Sequence, residues 1–236
     1  MTVKKGKLLI EGKVKKVYST NEPDYLILHF TDNVAGVRSG EERIIKNKGT
    51  YNNAISSFLF KLLGGYHIRT HFVDVLKPDE MLVRKLDIIP ITVEVWNFAG
   101  GSFSKRYGIA KGEALNRPVV EFYLKNSKLR NPMITADHAC AFGYAKPEEM
   151  QTIDRTVRKV NAVLKSFFDR RKFKLINFKL EFGRYQDKIF LSDEISPDTF
   201  SLVDMKDGET KNKAPLNLAT DKITAAYEEL KNRICK

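Results

Sequence analysis

The sequence predicts an α+β fold with largely antiparallel sheets. Two observations support this class: the chain up to about residue 100 consists mostly of strand-like runs, and the longest apolar stripe at helical spacing lies later, at 147–172. Strand runs and helices are mixed without the regular βαβ alternation that indicates a parallel sheet. The 236 residues can form one large domain or two unequal lobes with a substantial core.

The N-terminal part is predicted to be sheet with one helix. Strands are expected in "KLLIEGKVKKVYST" and "YLILHF", separated by a turn at 21–24. A helix is expected at about 51–63, where these apolar residues recur at helical spacing: Ile55, Phe58, Leu59 and Leu62. Further strands are expected in "HFVDVL", "EMLVRKL" and "IPITVEVWNF".

The longest helix is predicted at 147–172. Its apolar stripe consists of Met150, Ile153, Val157, Val160, Leu164, Phe167 and Phe168. Pro147 suits the first turn of a helix, and Glu148 and Glu149 are favourable near the positive end of the helix dipole. A closing helix is predicted at about Thr220–Ile234.

The stretch "LINFKLEFG" alternates strictly between apolar and polar residues, as a half-buried strand does. Asn177, Lys179 and Glu181 share its polar face. The run "RYQDKIFLSDEISPD" then predicts a turn at 185–188 and a second strand at 189–195. If this hairpin pairs odd residues with odd ones, Asp193 lies on the same face as Glu181, one diagonal neighbour away.

Two carboxylates and an ammonium group on one face would suit a nucleotide site. Magnesium prefers hard oxygen ligands from one or two carboxylates, completed by substrate phosphates. A strand with a plain solvent-exposed face alternates in the same way, so the alternation by itself leaves both interpretations open.

A second basic stretch, "EGKVKKVY", lies near the N-terminus. Gly12 allows close approach of the backbone, and Lys13 and Lys15 are expected on one side of a strand, where they could meet a triphosphate. The same spacing fits an exposed basic strand equally well.

The net charge of +12 raises the question of nucleic acid, but the 41 Lys and Arg residues are spread along the whole chain. We therefore expect small polyanionic substrates and no nucleic-acid partner. No apolar run approaches 18 residues, and Cys140 and Cys235 are isolated, so we expect a cytoplasmic protein without a membrane partner or a disulfide framework.

Four motifs together resemble one family in order and spacing: "EGKVKKVY", "VRKLDIIPITVEVWNFAGGSFSKRYG", "FKLEFG" and "SDEISPD". This is the phosphoribosylaminoimidazole-succinocarboxamide synthase (SAICAR synthetase) family of purine biosynthesis, and the likeness runs from about residue 8 to residue 204. It implies an ATP-grasp-like architecture, with an N-terminal β-rich lobe over 1–86, a larger α+β lobe over 87–236, and the nucleotide between them.

The resemblance also implies an ATP-dependent carbon–nitrogen ligase that uses Mg²⁺. ATP would activate the carboxylate of carboxyaminoimidazole ribotide as an acyl phosphate, and the amine of aspartate would then displace phosphate to form an amide. Such chemistry depends on cations and needs no protein nucleophile. Bacterial members are commonly dimers, which makes a homodimer possible.

Residue roles follow from the same resemblance. Gly12, Lys13, Val14 and Lys15 match the nucleotide-phosphate strand, Lys85 and Leu86 the segment beside the adenine, and Glu181 and Asp193 the magnesium ligands at the nucleotide. Lys179 matches the substrate lysine, Asp198 a substrate-side acid, and Ser102 the serine of the ribotide-phosphate loop. Lys179 and Asp198 are our candidates for the catalytic residues.

The chain departs from the family pattern mainly on the ribotide side. Trp96 and Ser201 stand where the family has phosphate-binding arginines, and Asn177 stands where it has aspartate. Arg38, Arg106 or Arg130 could compensate. Beside an authentic but divergent ligase, the sequence leaves open a paralogue that uses another carboxylate, with Trp96 as a stacking surface, and a non-catalytic nucleotide-binding protein.

Overall fold

The computed structural model describes residues 3–34, 43–206 and 220–236. Arg38, named above as a possible compensating cation, lies outside the described residues. Within these ranges, no helix is long and apolar enough to cross a membrane.

The N-terminal sheet has five antiparallel strands in the order β1-β2-β3-β5-β4. The strands are β1 (Lys5–Glu11), β2 (Lys15–Thr20), β3 (Tyr25–Phe30), β4 (Phe72–Lys77) and β5 (Glu80–Arg84). Helix α1 (Lys48–Gly65) packs against this sheet through Ile55, Leu59 and Leu63, which lie one turn apart and are fully buried. The helix begins three residues earlier and ends two residues later than predicted.

The second sheet has six strands and carries the other helices. Its strands are β6 (Asp87–Phe98), β7 (Ala114–Leu124), β8 (Met133–Ile134), β9 (Phe173–Tyr185), β10 (Lys188–Ser192) and β11 (Phe200–Asp204). They lie in the order β10-β9-β6-β7-β8, and β11 pairs with β9. The helices are α2 (Gly101–Tyr107), α3 (Ala136–Ala141), α4 (Pro147–Arg170) and α5 (Thr220–Ile234), with a short 3₁₀ turn at Ser127–Leu129.

Helix α4 covers the apolar face of β9. Ile153, Val157 and Leu164 of the helix are buried, as are Phe178 and Leu180 of the strand. The polar residues of β9 therefore face the opposite side of the sheet from α4. The α4 apolar stripe and its start at Pro147 are confirmed, and the helix ends two residues earlier than predicted.

The register of the β9–β10 hairpin differs from the prediction. Gln186 and Asp187 both have left-handed backbone angles and form a two-residue turn, so odd residues pair with even ones and Ser192 lies opposite Glu181. Strand β10 ends at Ser192, three residues earlier than predicted. Asp193 has φ 63° and leaves the extended conformation.

The N-terminal basic stretch is a hairpin and not one strand. Residues 12–14 form the turn between β1 and β2, and the Gly12 amide donates to the Lys15 carbonyl over 2.9 Å. Lys13 is therefore in the turn, and of the two lysines only Lys15 lies on a strand.

The two sheets are joined by Lys85 and Leu86, between β5 and β6. One continuous apolar core extends across both sheets. Helix α5 returns to α1, where Ile223 and Tyr227 pack with Ile45. The antiparallel α+β class is confirmed, and the division at residue 86 stays a prediction.

Candidate active site

The polar face of the second sheet forms the floor of the site. Cross-strand pairing puts Glu181 of β9 opposite Thr92 of β6, and Lys179 opposite Glu94. One row further, Asn177 lies opposite Trp96. Because side chains alternate along each strand, the polar residues of neighbouring strands form rows on one face.

Glu181 and Asp193 are close enough to affect each other's ionisation. Glu181 accepts a hydrogen bond from Lys125 Nζ at 2.6 Å. Burial and the neighbouring charge of Asp193 raise the pKa of Glu181 above its usual range. The structure therefore brings the two carboxylates together, although by the left-handed conformation of Asp193 and not by the predicted register.

Lys15 extends from the N-terminal sheet to these carboxylates. Its ammonium group pairs with Asp193 and lies 3.3 Å from Glu194 Oε1. Burial acts to raise the pKa of Asp193, but the charge and the hydrogen bond of Lys15, together with the charges of Lys125 and His71, outweigh burial and lower that pKa. Burial likewise opposes the charged form of Lys15, whose pKa is nevertheless raised by Asp193 and Glu194.

Asp198 is held by three donors from two helices. Lys48 and Asn52 of α1 both donate to Oδ2, the asparagine over 2.8 Å, and Tyr227 of α5 donates to Oδ1 over 3.2 Å. Lys48 is completely buried. This role of Lys48, Asn52 and Tyr227 was not predicted, because nothing local in the sequence indicates that a lysine is buried beside an acid from a distant segment.

Glu121, which was not predicted as a site residue, is a buried carboxylate that accepts hydrogen bonds from four side chains. It accepts hydrogen bonds from Trp96 Nε1 at 3.1 Å, Tyr107 at 2.9 Å and Tyr123 at 2.7 Å, and it pairs with Arg106. Four donors compensate the cost of burying its charge. Alternation along β7 puts Glu121 on one face with Tyr123, but a single sequence does not reveal the donors from α2.

Two adjoining cavities lie on this face. The first has a volume of about 530 Å³ and is lined by Thr92, Glu94, Ser102, Arg106, Tyr123, Lys125, Ser127, Asn131 and Lys179. The second has about 610 Å³ and shares Glu94, Ser102 and Lys179 with the first. Trp96, Asp198 and Ser201 also line it. Both volumes suit a small-molecule substrate.

The family is decided by comparison with known proteins. A family model described as SAICAR synthetase matches residues 8–234. The chain belongs to the SAICAR synthetase family. The match extends past residue 204, where the recognisable motifs end, and includes α5.

Known SAICAR synthetases resemble the chain over nearly its full length. The phosphoribosylaminoimidazole-succinocarboxamide synthase of Chlorobium limicola is 43% identical over 98% of both chains, and that of Chlorobium luteolum is 44% identical over 98% of this chain and 97% of its own. The crystal structure of the enzyme from Ehrlichia chaffeensis superimposes with a TM-score of 0.91 at 38% identity, covering 97% of this chain and 98% of the other.

A SAICAR synthetase structure in complex with ADP has a TM-score of 0.89 at 37% identity, covering 95% of this chain and 96% of that one. These similarities confirm the predicted SAICAR synthetase-like fold. They also confirm the predicted enzyme class, an ATP-dependent carbon–nitrogen ligase of purine biosynthesis.

The departures from the SAICAR synthetase pattern form one row of the sheet. Asn177 of β9 pairs with Trp96 of β6 on one side and with Ser201 of β11 on the other. Trp96 is only 3% exposed and packs against Phe103, with ring centroids 5.2 Å apart. Trp96 lines the second cavity with the small part of its indole that is accessible, and its role as a stacking surface stays a prediction.

The remaining predicted nucleotide residues lie apart from the cavities. Gly12, Lys13 and Val14 are in the β1–β2 turn, and Lys85 and Leu86 are in the connection between the sheets. None of these five residues lines either cavity. Of the predicted phosphate-binding residues, Lys15 is the one that contacts the carboxylates.

Proposed function

We propose that this SAICAR synthetase family member joins aspartate to carboxyaminoimidazole ribotide through an acyl phosphate, giving SAICAR, ADP and phosphate. The names of its relatives support these substrates. The observation that carries the proposal for the site is that Lys15 of the first sheet pairs with Asp193, just after β10 of the second sheet, and that the charge of Asp193 acts on Glu181, beside cavities lined by Lys179.

The nucleotide would lie between the sheets. We assign its phosphates to Lys15 and to the backbone of residues 12–14, with Lys13 at the tip of the turn. The adenine would contact Lys85 and Leu86, since any ligand between the sheets approaches their connection. The related SAICAR synthetase that was solved in complex with ADP has the same fold, which supports a nucleotide site in this chain.

The donor set at Glu181 and Asp193 fits a magnesium ion. Two hard carboxylate oxygens from adjacent segments, whose charges already affect each other, are what Mg²⁺ uses together with substrate phosphates. When bound there, the ion would supply neutralising charge for phosphoryl transfer. Lys15 and Lys125 flank the two carboxylates and would add positive charge near the same phosphates.

Lys179 and Asp198 line the cavity assigned to the ribotide and aspartate. We assign Lys179 to the substrate carboxylate, whose charge it would balance while an acyl phosphate forms. Asp198 would attract the ammonium group of aspartate, and its three donors fix the orientation of its carboxylate. Ser102 and Trp96 would contact the ribotide.

The organisation of the protein follows from this assignment. We propose a nucleotide-covering lobe over 1–86 and a substrate lobe over 87–236, with α5 packing against α1 of the first lobe. We further propose a cytoplasmic location, where soluble metabolites are available, and a homodimer. Analytical ultracentrifugation of the purified chain measures the oligomeric state.

The metal ligands provide the test of the proposal. We expect Glu181→Gln and Asp193→Asn each to reduce ADP formation that depends on Mg²⁺, ribotide and aspartate by about a hundredfold or more, since each loses a charged ligand. Circular dichroism and thermal melting would report whether the fold is retained. Glu228→Gln, on the exposed side of α5, is the control. Full activity in both site variants would contradict the assignment.

A further inference from the structure

We propose that His71 is a positioning residue for the metal site: it holds the backbone of Asp193 in the conformation that directs the carboxylate toward Glu181. This inference rests on the proposed function, because it concerns one of the two acids assigned to the magnesium ion. It goes beyond that function because it names a residue outside the second sheet, between α1 and β4, on which the affinity for the ion depends.

The pleat of β10 would carry Asp193 away from the site if the strand continued. Ser192 pairs with Glu181 and therefore lies on the polar face of the sheet, whereas Leu191 lies on the apolar face and is fully buried. An extended residue 193 would point to the same face as Leu191, toward the core. The left-handed backbone of Asp193, with φ 63°, ends this alternation, so its carboxylate pairs with Lys15 and acts on Glu181.

The left-handed backbone of Asp193 needs support from its surroundings. Such angles are uncommon outside glycine, although aspartate tolerates them better than most residues, and they persist where neighbouring groups fix them. His71 supplies such a contact, because its Nε2 lies 2.9 Å from the Asp193 carbonyl oxygen. A carbonyl oxygen can only accept, so Nε2 carries the hydrogen and donates it.

His71 is itself fixed on several sides. Its amide donates to the Leu191 carbonyl over 2.8 Å, and its carbonyl accepts from the Arg84 amide over 2.7 Å. Two residues earlier, the Arg69 carbonyl accepts from the Leu191 amide over 2.9 Å. His71 is only 5% exposed, and its ring makes a T-shaped contact with Phe60 of α1, with centroids 5.3 Å apart. The donor is therefore presented to Asp193 at a fixed place.

The N-terminal part of the chain thus holds both the backbone and the side chain of Asp193. His71 immediately precedes β4 and contacts the carbonyl group, while Lys15 of β2 pairs with the carboxylate. Asp193 itself follows β10 of the second sheet. The geometry proposed for the ion therefore depends on how the two sheets are docked.

Three substitutions separate the donated hydrogen bond from the size of the side chain. His71→Gln keeps an amide donor at a reach similar to that of Nε2, His71→Asn carries the same group one carbon shorter, and His71→Leu fills the space without a donor. Calorimetry would measure the affinity for ADP in excess Mg²⁺ and again with EDTA in place of the metal.

We expect the Leu and Asn variants to bind ADP about tenfold more weakly in Mg²⁺, because Asp193 is released from its left-handed conformation. With EDTA their affinities should be unchanged or slightly tighter, since Asp193 attracts the nucleotide only through the ion. The Gln variant should stay within about threefold of the wild type in both media.

Ile68→Val is the control for a loss of stability alone, because Ile68 is a buried core residue of the same segment. It should lower the melting temperature and leave both ADP affinities unchanged. Equal weakening of ADP binding with Mg²⁺ and with EDTA, or equal affinities of the Gln and Leu variants in Mg²⁺, would overturn the positioning role. A wild-type ADP affinity that does not depend on Mg²⁺ would overturn it as well.

A measurement on the wild-type chain keeps the proposal testable if a variant does not fold. All four histidines lie within the described ranges, and only His71 is buried. Nitrogen-15 spectra should therefore show one imidazole whose Nε2 hydrogen exchanges slowly with solvent. A hydrogen on Nδ1 of this ring instead would contradict the donated bond to Asp193.

Neither measurement uses the ribotide or aspartate, so the two proposals can fail separately. If the ribotide does not turn over but magnesium-dependent ADP binding still requires His71, the proposed ligase function fails and the positioning role stands. If the ribotide turns over and His71→Leu binds ADP in Mg²⁺ as the wild type does, the positioning role fails and the proposed function stands.

Discussion

Gly183 lies where β9 passes the connection between the two sheets. A Cβ atom at this position would be 2.7 Å from Leu86 Cβ and 3.0 Å from the Asp87 carbonyl oxygen. Both contacts are closer than carbon and oxygen atoms normally approach, so the connection would have to move. Leu86 belongs to the segment that we assign to the adenine, which relates this packing to nucleotide binding.

We therefore expect Gly183→Ala to lower the free energy of unfolding by about 1–3 kcal/mol, as overpacking of a tight contact does. It should also raise the KM for ATP, because displacement of Leu86 changes the adenine segment. Urea unfolding and steady-state kinetics measure the two effects. Gly64→Ala is the control: a Cβ at Gly64 of α1 meets nothing within 4 Å, and alanine there should be neutral or stabilising by up to about 1 kcal/mol. Equal stability of the two variants would contradict this prediction.

Single residues differ in how far the sequence predicts them. Lys179 and Glu181 could be placed on one face, because the two-residue period of a strand is local information. The position of Asp193 could not be derived correctly, since it depends on the turn at Gln186 and Asp187 and on its own left-handed backbone. Lys48 gave no signal, because its burial depends on Asp198 and on α5, far along the chain.

Helix α4 was predicted well because the sequence features that define it are local. Pro147 begins it as predicted, and Glu149 in its first turn accepts a hydrogen bond from the Lys146 amide at 2.7 Å. Glu149 is also bound by Arg184 of β9, at 2.6 and 2.9 Å, which the sequence does not reveal. The Glu149 carboxylate thus accepts a backbone hydrogen bond at the start of the helix and also attaches the helix to the sheet.

The pH dependence of stability tests this attachment. Hydrogen bonds from Arg184 lower the pKa of Glu149 below its ordinary value of 4.5. Its stabilising contribution is therefore complete above pH 4.5 and is lost as the pH falls through the lowered pKa. We expect Glu149→Gln to reduce the free energy of unfolding at pH 7 by about 1–2 kcal/mol, and the difference from wild type to shrink in acid.

Urea unfolding at pH 7 and at successively lower pH measures this difference. Glu148→Gln is the matched control, because Glu148 is the exposed neighbour in the same first turn; it should cost only about 0.3–1 kcal/mol through the helix dipole. If the difference in unfolding free energy between Glu149→Gln and wild type stays constant across the pH range, the ionised form of Glu149 does not stabilise the fold.

The segments predicted with the right type are those with strong periodicity. The strands of the first sheet, strands β6, β9 and β10 of the second sheet, and helices α1, α4 and α5 were predicted. Strands β7, β8 and β11 were not predicted. The short helices α2 and α3 were not predicted, because six or seven residues do not provide a helical period that can be recognised. Helix α2 carries Ser102 and Arg106, which were named only through the family resemblance and not as residues of a helix.

Several contacts hold the two sheets together besides the apolar core that they share. Lys15 of the first sheet pairs with Asp193, and Lys85 and Leu86 connect β5 of the first sheet to β6 of the second. Helix α5 packs against α1, and there Tyr227 packs with Ile45 and Ile223 and donates to Asp198. The C-terminal helix therefore contacts an acid that lines the substrate cavity.

Removal of the Tyr227 hydroxyl group separates its packing from its hydrogen bond. Tyr227→Phe keeps the apolar contacts with Ile45 and Ile223, while Asp198 Oδ1 loses a donor and Oδ2 retains Lys48 and Asn52. We expect the free energy of unfolding to fall by about 1 kcal/mol, the usual net value of one hydrogen bond. The KM for aspartate should rise severalfold with the KM for ATP unchanged, because Asp198 faces the substrate cavity. Tyr66→Phe, at an exposed tyrosine after α1, is the control, and a parallel rise in all substrate KM values would indicate that Tyr227 acts on the fold alone.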